Sequence, residues 1–377
     1  MTTQRICFVV SSSLTARAFL TGHFAALGRR YAIDLAANAG GQDGLGDIML
    51  HVRVVPVRIL RRIAPMADLV ALYRLYRLFR RERYAAVSSV TPKAGLLALL
   101  AAAATRIPLR IHIFTGQVWT TRTGWKRALL KAADRLMASL ATHVLADSPS
   151  QRDFLVAEGV APAGKVRVLG EGSICGVDGE RFRPDAGRRT DIRHTHGIPE
   201  EAVVFLFLGR LNRDKGVADL AEAFASLDHP AAYLLVVGPD EEGMREAMLA
   251  RLGAAAERCR FVGFTDRPED CMAAGDVFCL PSYREGFGMV VIEAAAAGLP
   301  AIASRIYGVI DAVEDGVTGL LHAPGDVGGM AALMNTLARD PTRRAAMGQA
   351  ARERALRLFA SQTVTQAWLD FYRQLLG

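Results

Sequence analysis

The stretch FLFLGRLNRDKGVADLAEAF, residues 205–224, passes from an apolar run through a polar loop into an amphipathic helix. FLFL is apolar without alternation, so both faces of the strand it predicts are covered, as in a parallel sheet carrying helices on each side. Gly209, Arg210 and Leu211 open the loop, and Lys215 and Gly216 close it. Open α/β sheets bind their ligands beyond the carboxyl ends of the strands, where this loop sits. Two cations there suit a departing diphosphate, although an ordinary βα loop also carries surface cations.

Working outward, short β-rich runs alternate with helical segments. RICFVV (5–10), HVRVVPV (51–57), YAAVSSV (84–90), LRIHIF (109–114), THVLAD (142–147) and KVRVLG (165–170) form one series. VVFLFLG (203–209), YLLVVG (233–238), CRFVG (259–263), DVFCLP (276–281), PAIAS (300–304) and TGLLH (318–322) form a second. A polar stretch over 176–201 divides them. The expected fold class is α/β, with two Rossmann-like domains whose parallel sheets face across a cleft. Residues 1–175 form the first domain, 176–355 the second, and 356–377 a terminal helix.

A second strand-end loop lies in PSYREGFGMVVIEAAAAGLPAIAS, residues 281–304. Gly286 and Gly288 precede a helix expected to begin near Gly288 or Met289. Glycines let a backbone approach closely, and the N–H groups of a helix start attract a phosphate. Glu285 stands before that helix start. Glu293 stands about a turn and a half inside the helix, roughly 7 Å further along. A carboxylate beside a phosphate is repelled, so each acid should face neutral hydroxyls. A nucleotide-sugar meets that demand: sugar hydroxyls at Glu285, the phosphate at the helix start, the ribose diol at Glu293. Such bonds also offset the cost of burying two charges. A glycosidase-like acid and base pair is disfavoured by the eight-residue offset and by the neighbouring cationic loop.

Charge divides the chain where the strand series does. Residues 1–180 carry 24 Lys and Arg against 12 Asp and Glu, and residues 181–377 carry 22 against 26. The basic excess concentrates in Arg53, Arg58, Arg61, Arg62, Arg74, Arg77, Arg80, Arg81 and Arg83, and again in TRTGWKRALLK (121–131). In MADLVALYRLYRLFRRER, arginines interleave with Leu, Tyr and Phe, a pattern that fits a helix lying on an anionic membrane or a solvated basic helix packed on a sheet. Nucleic acid is disfavoured, because no finger, helix-turn-helix or stacking motif accompanies the charge. The longest uncharged apolar run, AGLLALLAAAA (94–104), is far short of the ~20 residues of a membrane span. Five scattered cysteines without Cys-x-x-Cys spacing and the lack of a signal-peptide pattern point to a reducing, cytoplasmic location.

The combination of GRL…KG, EGFGMVVIE, AGLPAIAS and EDGVTGLLHAPGD resembles the GT-B-fold retaining glycosyltransferases of family four, across the whole second half. The resemblance implies that Arg210 and Lys215 bind the donor diphosphate and that Glu285 contacts the donor sugar. It implies that the backbone of Phe287, Gly288, Met289 and Val290 cradles sugar and phosphate, and that Glu293 holds the ribose. Gly209 shapes the first loop, Gly263 and Phe264 meet the base, and the last helix crosses back onto the first domain. No Asp-x-Asp pair occurs in the chain, so no metal or other cofactor is expected, and Arg210, Lys215 and the helix start would meet the leaving-group charge.

The first half should bind the acceptor. Many relatives carry His-Gly after the strand matching LRIHIF; here the pair is Thr115-Gly116, with His112 inside the strand and expected in the core. Ser12, within SSSL, either supplies donors or caps a helix. Lys93 begins another strand-end helix and suits a phosphate. VTPKAG, FTGQVW and ADSPSQRDF are most similar to the bacterial branch acting on undecaprenyl-diphosphate-linked glycans. The expected activity is retaining transfer from a UDP-sugar to such a lipid-linked saccharide, at the inner face of the plasma membrane. Lys93 or the arginines between Arg53 and Arg83 would grip the acceptor diphosphate. A UDP-sugar epimerase of the same fold and a non-catalytic glycan-binding scaffold are the rival readings.

Overall fold

The computed structural model describes residues 4–38, 46–60 and 64–377. Arg61 and Arg62 lie outside the described residues. The chain forms two compact units, one comprising Met1–Cys175 with Ser361–Gly377 and the other Gly176–Ala360. Each unit has its own sheet, parallel throughout.

The first unit contains β1 (Arg5–Val9), β2 (Ala32–Ala37), β3 (Arg53–Pro56), β4 (Ala86–Val90), β5 (Leu109–Phe114), β6 (His143–Ala146) and β7 (Val166–Val168), in the order β3-β2-β1-β4-β5-β6-β7. β2 escaped the sequence reading because AIDLAA has weak β propensity and an acid at its centre. That acid, Asp34, is buried and accepts from Arg53 Nε at 2.9 Å and from the Tyr84 hydroxyl. Arg53 therefore pins β3 to β2 and also pairs with Glu82 at 3.2 Å; it is a structural cation. One face of the sheet is covered by the Pro65–Glu82, Pro92–Ala104, Gly124–Leu140 and Pro149–Ala157 helices. The Ser361–Leu376 helix belongs to this unit too: Trp368 stacks on His23 at 4.3 Å, and the Tyr372 hydroxyl lies 2.5 Å from Ser88 Oγ.

The second unit contains β8 (Val203–Leu208), β9 (Ala232–Val237), β10 (Cys259–Gly263), β11 (Val277–Leu280), β12 (Ala301–Ser304) and β13 (Gly319–His322), in the order β10-β9-β8-β11-β12-β13. Apolar side chains fill both faces, with Phe205 and Phe207 on one and Leu206 and Phe278 on the other. At the amino ends of β8 and β11, buried Arg193 reaches Asp276 Oδ2 at 2.8 Å, and the same oxygen accepts from Val204 N at 2.7 Å. The Pro341–Leu358 helix closes this unit. In both sheets the strand order reverses once, between β1 and β4 and between β8 and β11. Such reversals open a crevice at the carboxyl ends of the two central strands.

Candidate active site

The loops expected to carry chemistry in the second unit follow β8 and β11, the two strands that flank the reversal. They are pressed together. Gly216 has φ +64, and a Cβ there would stand 2.0 Å from the Pro281 carbonyl oxygen. Only glycine permits both that backbone and that approach. Tyr283 N donates to Asp214 O at 2.8 Å, and the Tyr283 hydroxyl donates to Asp219 Oδ2 at 2.6 Å.

Side-chain charges then pair crosswise. Asp214 Oδ2 accepts from Arg284 Nη2 at 3.0 Å, and Lys215 Nζ donates to Glu285 Oε1 at 2.5 Å. Ser282 Oγ donates to that same Glu285 oxygen at 2.7 Å. Both partners share Oε1, so Oε2 makes no hydrogen bond among the described residues. Lys215 and Glu285 are thus one unit, a cation and an acceptor side by side. Sequence reasoning missed the partners Asp214, Ser282 and Arg284. Their signal was there: Asp-Lys on one loop and Arg-Glu on the other are complementary dipeptides.

Beyond Glu285 the chain turns into the Met289–Ala296 helix through Gly288. Gly308, φ +83, lets the loop after β12 close on this turn, since a Cβ there would lie 2.3 Å from Gly286 O. The Phe287 ring is buried against Phe359, so only its backbone faces the loops. Met289 and Val290 form the first turn of that helix. Glu293 is half-buried, and its carboxylate accepts no hydrogen bond among the described residues. Burial pushes its carboxyl up to about 7; nearby Arg181 opposes the shift and Glu269 adds to it. Arg181 is itself tied to Glu269 at 2.8 Å.

The remaining residues ring this centre. Gly209 N donates to Val237 O at 2.9 Å, and Gly238 N to Gly263 O at 2.7 Å, which joins the ends of β8, β9 and β10. The Phe264 side chain is 77% exposed. Arg210 is half-exposed and donates to Glu241 Oε2 at 3.0 Å, so it sits with the β9 loop and is not gathered into the Lys215–Glu285 pair. Among the described residues no group of three or more His, Cys, Asp or Glu converges as a metal site would.

Of the candidate acceptor residues, Ser12 and Lys93 lie at the other reversal. Ser12 caps the short Ser13–Phe19 helix, accepting from Leu14 N at 3.2 Å. Thr91 Oγ1 donates to Ser11 Oγ at 3.3 Å, which joins the ends of β1 and β4. Lys93 Nζ lies 2.6 Å from Asp68 Oδ1, so an anionic ligand would have to share it. Thr115 and Gly116 follow β5. His112 is in the core: its Nδ1 lies 2.9 Å from Ser89 Oγ, and burial pushes its pKa down to about 3. Asp147, at the end of β6, is buried and its carboxyl is pushed up to about 8. No sequence pattern marked it.

Residues 188–354 match the family described as Glycosyl transferases group 1, and residues 18–172 match the Glycosyl transferase 4-like domain. Over 327 residues the chain is 31% identical to the capsular polysaccharide biosynthesis glycosyltransferase CapM of Staphylococcus aureus, covering 86% of this chain and 85% of that protein. The chain belongs to the group 1 glycosyltransferases. Another glycosyltransferase relative is D-inositol 3-phosphate glycosyltransferase of Kribbella flavida, 34% identical over 258 residues, which cover 65% of this chain and 57% of that one. The crystal structure of Anabaena HepE in complex with UDP-glucose superposes with a TM-score of 0.82 at 22% identity, over 98% of this chain and 99% of that one. This last likeness concerns the fold, GT-B.

Proposed function

We propose that this glycosyltransferase moves a sugar from a UDP-sugar, with retention and without a metal ion, onto a polyprenyl-diphosphate-linked glycan in cell-surface polysaccharide assembly. The observation that carries the reading is the Lys215–Glu285 pair at the β8/β11 reversal, 2.5 Å apart and beside a helix start. Lys215 and the Met289 helix start offer positive charge to a diphosphate. Oε2 of Glu285 offers an acceptor to a sugar hydroxyl, and Glu293 offers its carboxylate to the ribose diol. Arg210 swings from Glu241 to the diphosphate when a donor arrives. The S. aureus relative supports polysaccharide assembly, and the HepE complex supports a UDP-linked donor.

Retention follows from front-face attack, in which the leaving phosphate oxygen takes the acceptor proton as the glycosidic bond to UDP breaks. No side chain then has to serve as a strong base. Lys215, Arg210 and the helix start stabilise the leaving group as its charge grows. Incubating the enzyme with a UDP-sugar panel and extracted lipid-linked saccharides, then assigning the product anomer by NMR, tests the reading. A product with the donor's anomeric configuration, formed in the presence of a chelator, is expected. An inverted product or a chelator-abolished reaction would overturn the corresponding part.

A further inference from the structure

Four crossovers in the first unit, β3 to β4, β4 to β5, β5 to β6 and β6 to β7, move the same way across the sheet. Right-handed connections therefore lay their helices on one face, Pro65–Glu82 packed on Pro92–Ala104 and that on Gly124–Leu140, with Pro149–Ala157 beyond. The first and third are amphipathic twice over. Pro65–Glu82 buries Ala71, Leu75, Leu78 and Phe79 and turns Met66, Leu69, Val70 and Tyr73 outward. Gly124–Leu140 buries Met137 and Ala138 and turns Trp125, Leu129 and Leu136 outward, with Trp125 71% exposed. The outward residues recur at helical spacing opposite the core, and packing within the unit does not account for them.

The exposed charges of these two helices have one sign. Arg74, Arg77 and Arg80 are exposed on the first helix, and Arg122 and Lys126 at the start of the third. The acids of these two helices are all engaged: Asp68 with Lys93, Glu82 with Arg5 and Arg53, and buried Asp134 with Trp119 Nε1 at 2.7 Å. We infer that this face, anchored by Trp125 and Leu129 on one helix and by Met66, Leu69, Val70 and Tyr73 on the other, docks on an anionic lipid surface. Apolar side chains enter the headgroup boundary while arginines meet lipid phosphates. A second copy of the chain is a poor occupant, since a two-fold contact would set the same arginines against each other with no free carboxylate between. The inference deepens the reading of the first unit as the acceptor side and rests on it for the partner it names, because a lipid-linked acceptor presents itself at such a surface.

Of the three tryptophans, Trp119 and Trp368 are buried, so a change in emission on binding reports Trp125. The full chain should float with vesicles of phosphatidylcholine and phosphatidylglycerol, not with phosphatidylcholine alone, and brominated acyl chains should quench its fluorescence. Trp125→Ser with Leu129→Ser should weaken flotation by tenfold or more, and each of Arg77→Ser and Arg80→Ser by about fivefold. All four substitutions should leave the thermal shift caused by UDP unchanged. Wild-type flotation by the double variant, no binding to either vesicle, or self-association that the double variant abolishes would overturn docking. UDP stabilisation that persists without flotation would sink docking alone. Flotation without UDP stabilisation would support docking and sink the donor reading.

Discussion

The two strand-order reversals are alike in topology and unlike in furnishing. At β8/β11 the facing loops touch through a glycine contact and two crosswise ion pairs, which set a cation and a carboxylate side by side. At β1/β4 the loops meet through one hydroxyl–hydroxyl bond, and the nearby lysine is already paired. A group common to all donors, a nucleoside diphosphate, can be met by a rigid site made of few residue types. An acceptor offers no such constant, and the residues that would read it lack a shared signature.

Breaking the braced reversal should have the largest effect. Lys215→Ala removes the cation proposed to meet the leaving group, and turnover should fall on the order of 10²–10³-fold while the melting temperature holds. Near-normal turnover would erase the contrast between the two reversals. Gly216→Ala should come next, destabilising by about 2–3 kcal/mol in denaturant titration, because it adds backbone strain and a clash with Pro281. A neutral result would mean that the loops are not pressed together.

Burial pushes the carboxyl of Glu293 up to about 7, above the ordinary carboxylate range, and its ionised form is the better acceptor for two ribose hydroxyls. Donor affinity should therefore be full above that pH and fall as pH drops through it, approaching about tenfold per unit. Calorimetry across the range should show this in wild type and a flat profile in Glu293→Gln. A flat wild-type profile would remove Glu293 from the ribose. The smallest effect belongs to the outer pair. Asp214→Asn and Arg284→Lys should each lower turnover a few-fold, and a double-mutant cycle should return a coupling of about 1 kcal/mol. Strict additivity would show that the pair does not position Lys215.

The sequence made the β8 and β11 loops readable because strand–helix alternation places each at a strand end, and their residue types speak directly of charge. It did not show that Glu285 already holds Lys215, since the partners are 70 positions apart. It misjudged Arg53 for the same reason: within a run of arginines nothing local reveals that its partner is Asp34 on a neighbouring strand. β2 was hidden by that same acid, which local pattern counts as surface and the fold buries. The basic helices were legible as charge, but their placement on one face, with the acids of Pro65–Glu82 and Gly124–Leu140 engaged, was not.

The central claim is that Glu285 serves the sugar and Glu293 the ribose. Calorimetry of UDP and of the tightest UDP-sugar, against wild type, Glu285→Ala and Glu293→Ala, tests it most directly. Glu285→Ala should bind UDP as wild type does and lose the extra affinity for the UDP-sugar, whereas Glu293→Ala should lose affinity for both alike. Equal losses for UDP and UDP-sugar in Glu285→Ala, or unchanged UDP binding in Glu293→Ala, would contradict it.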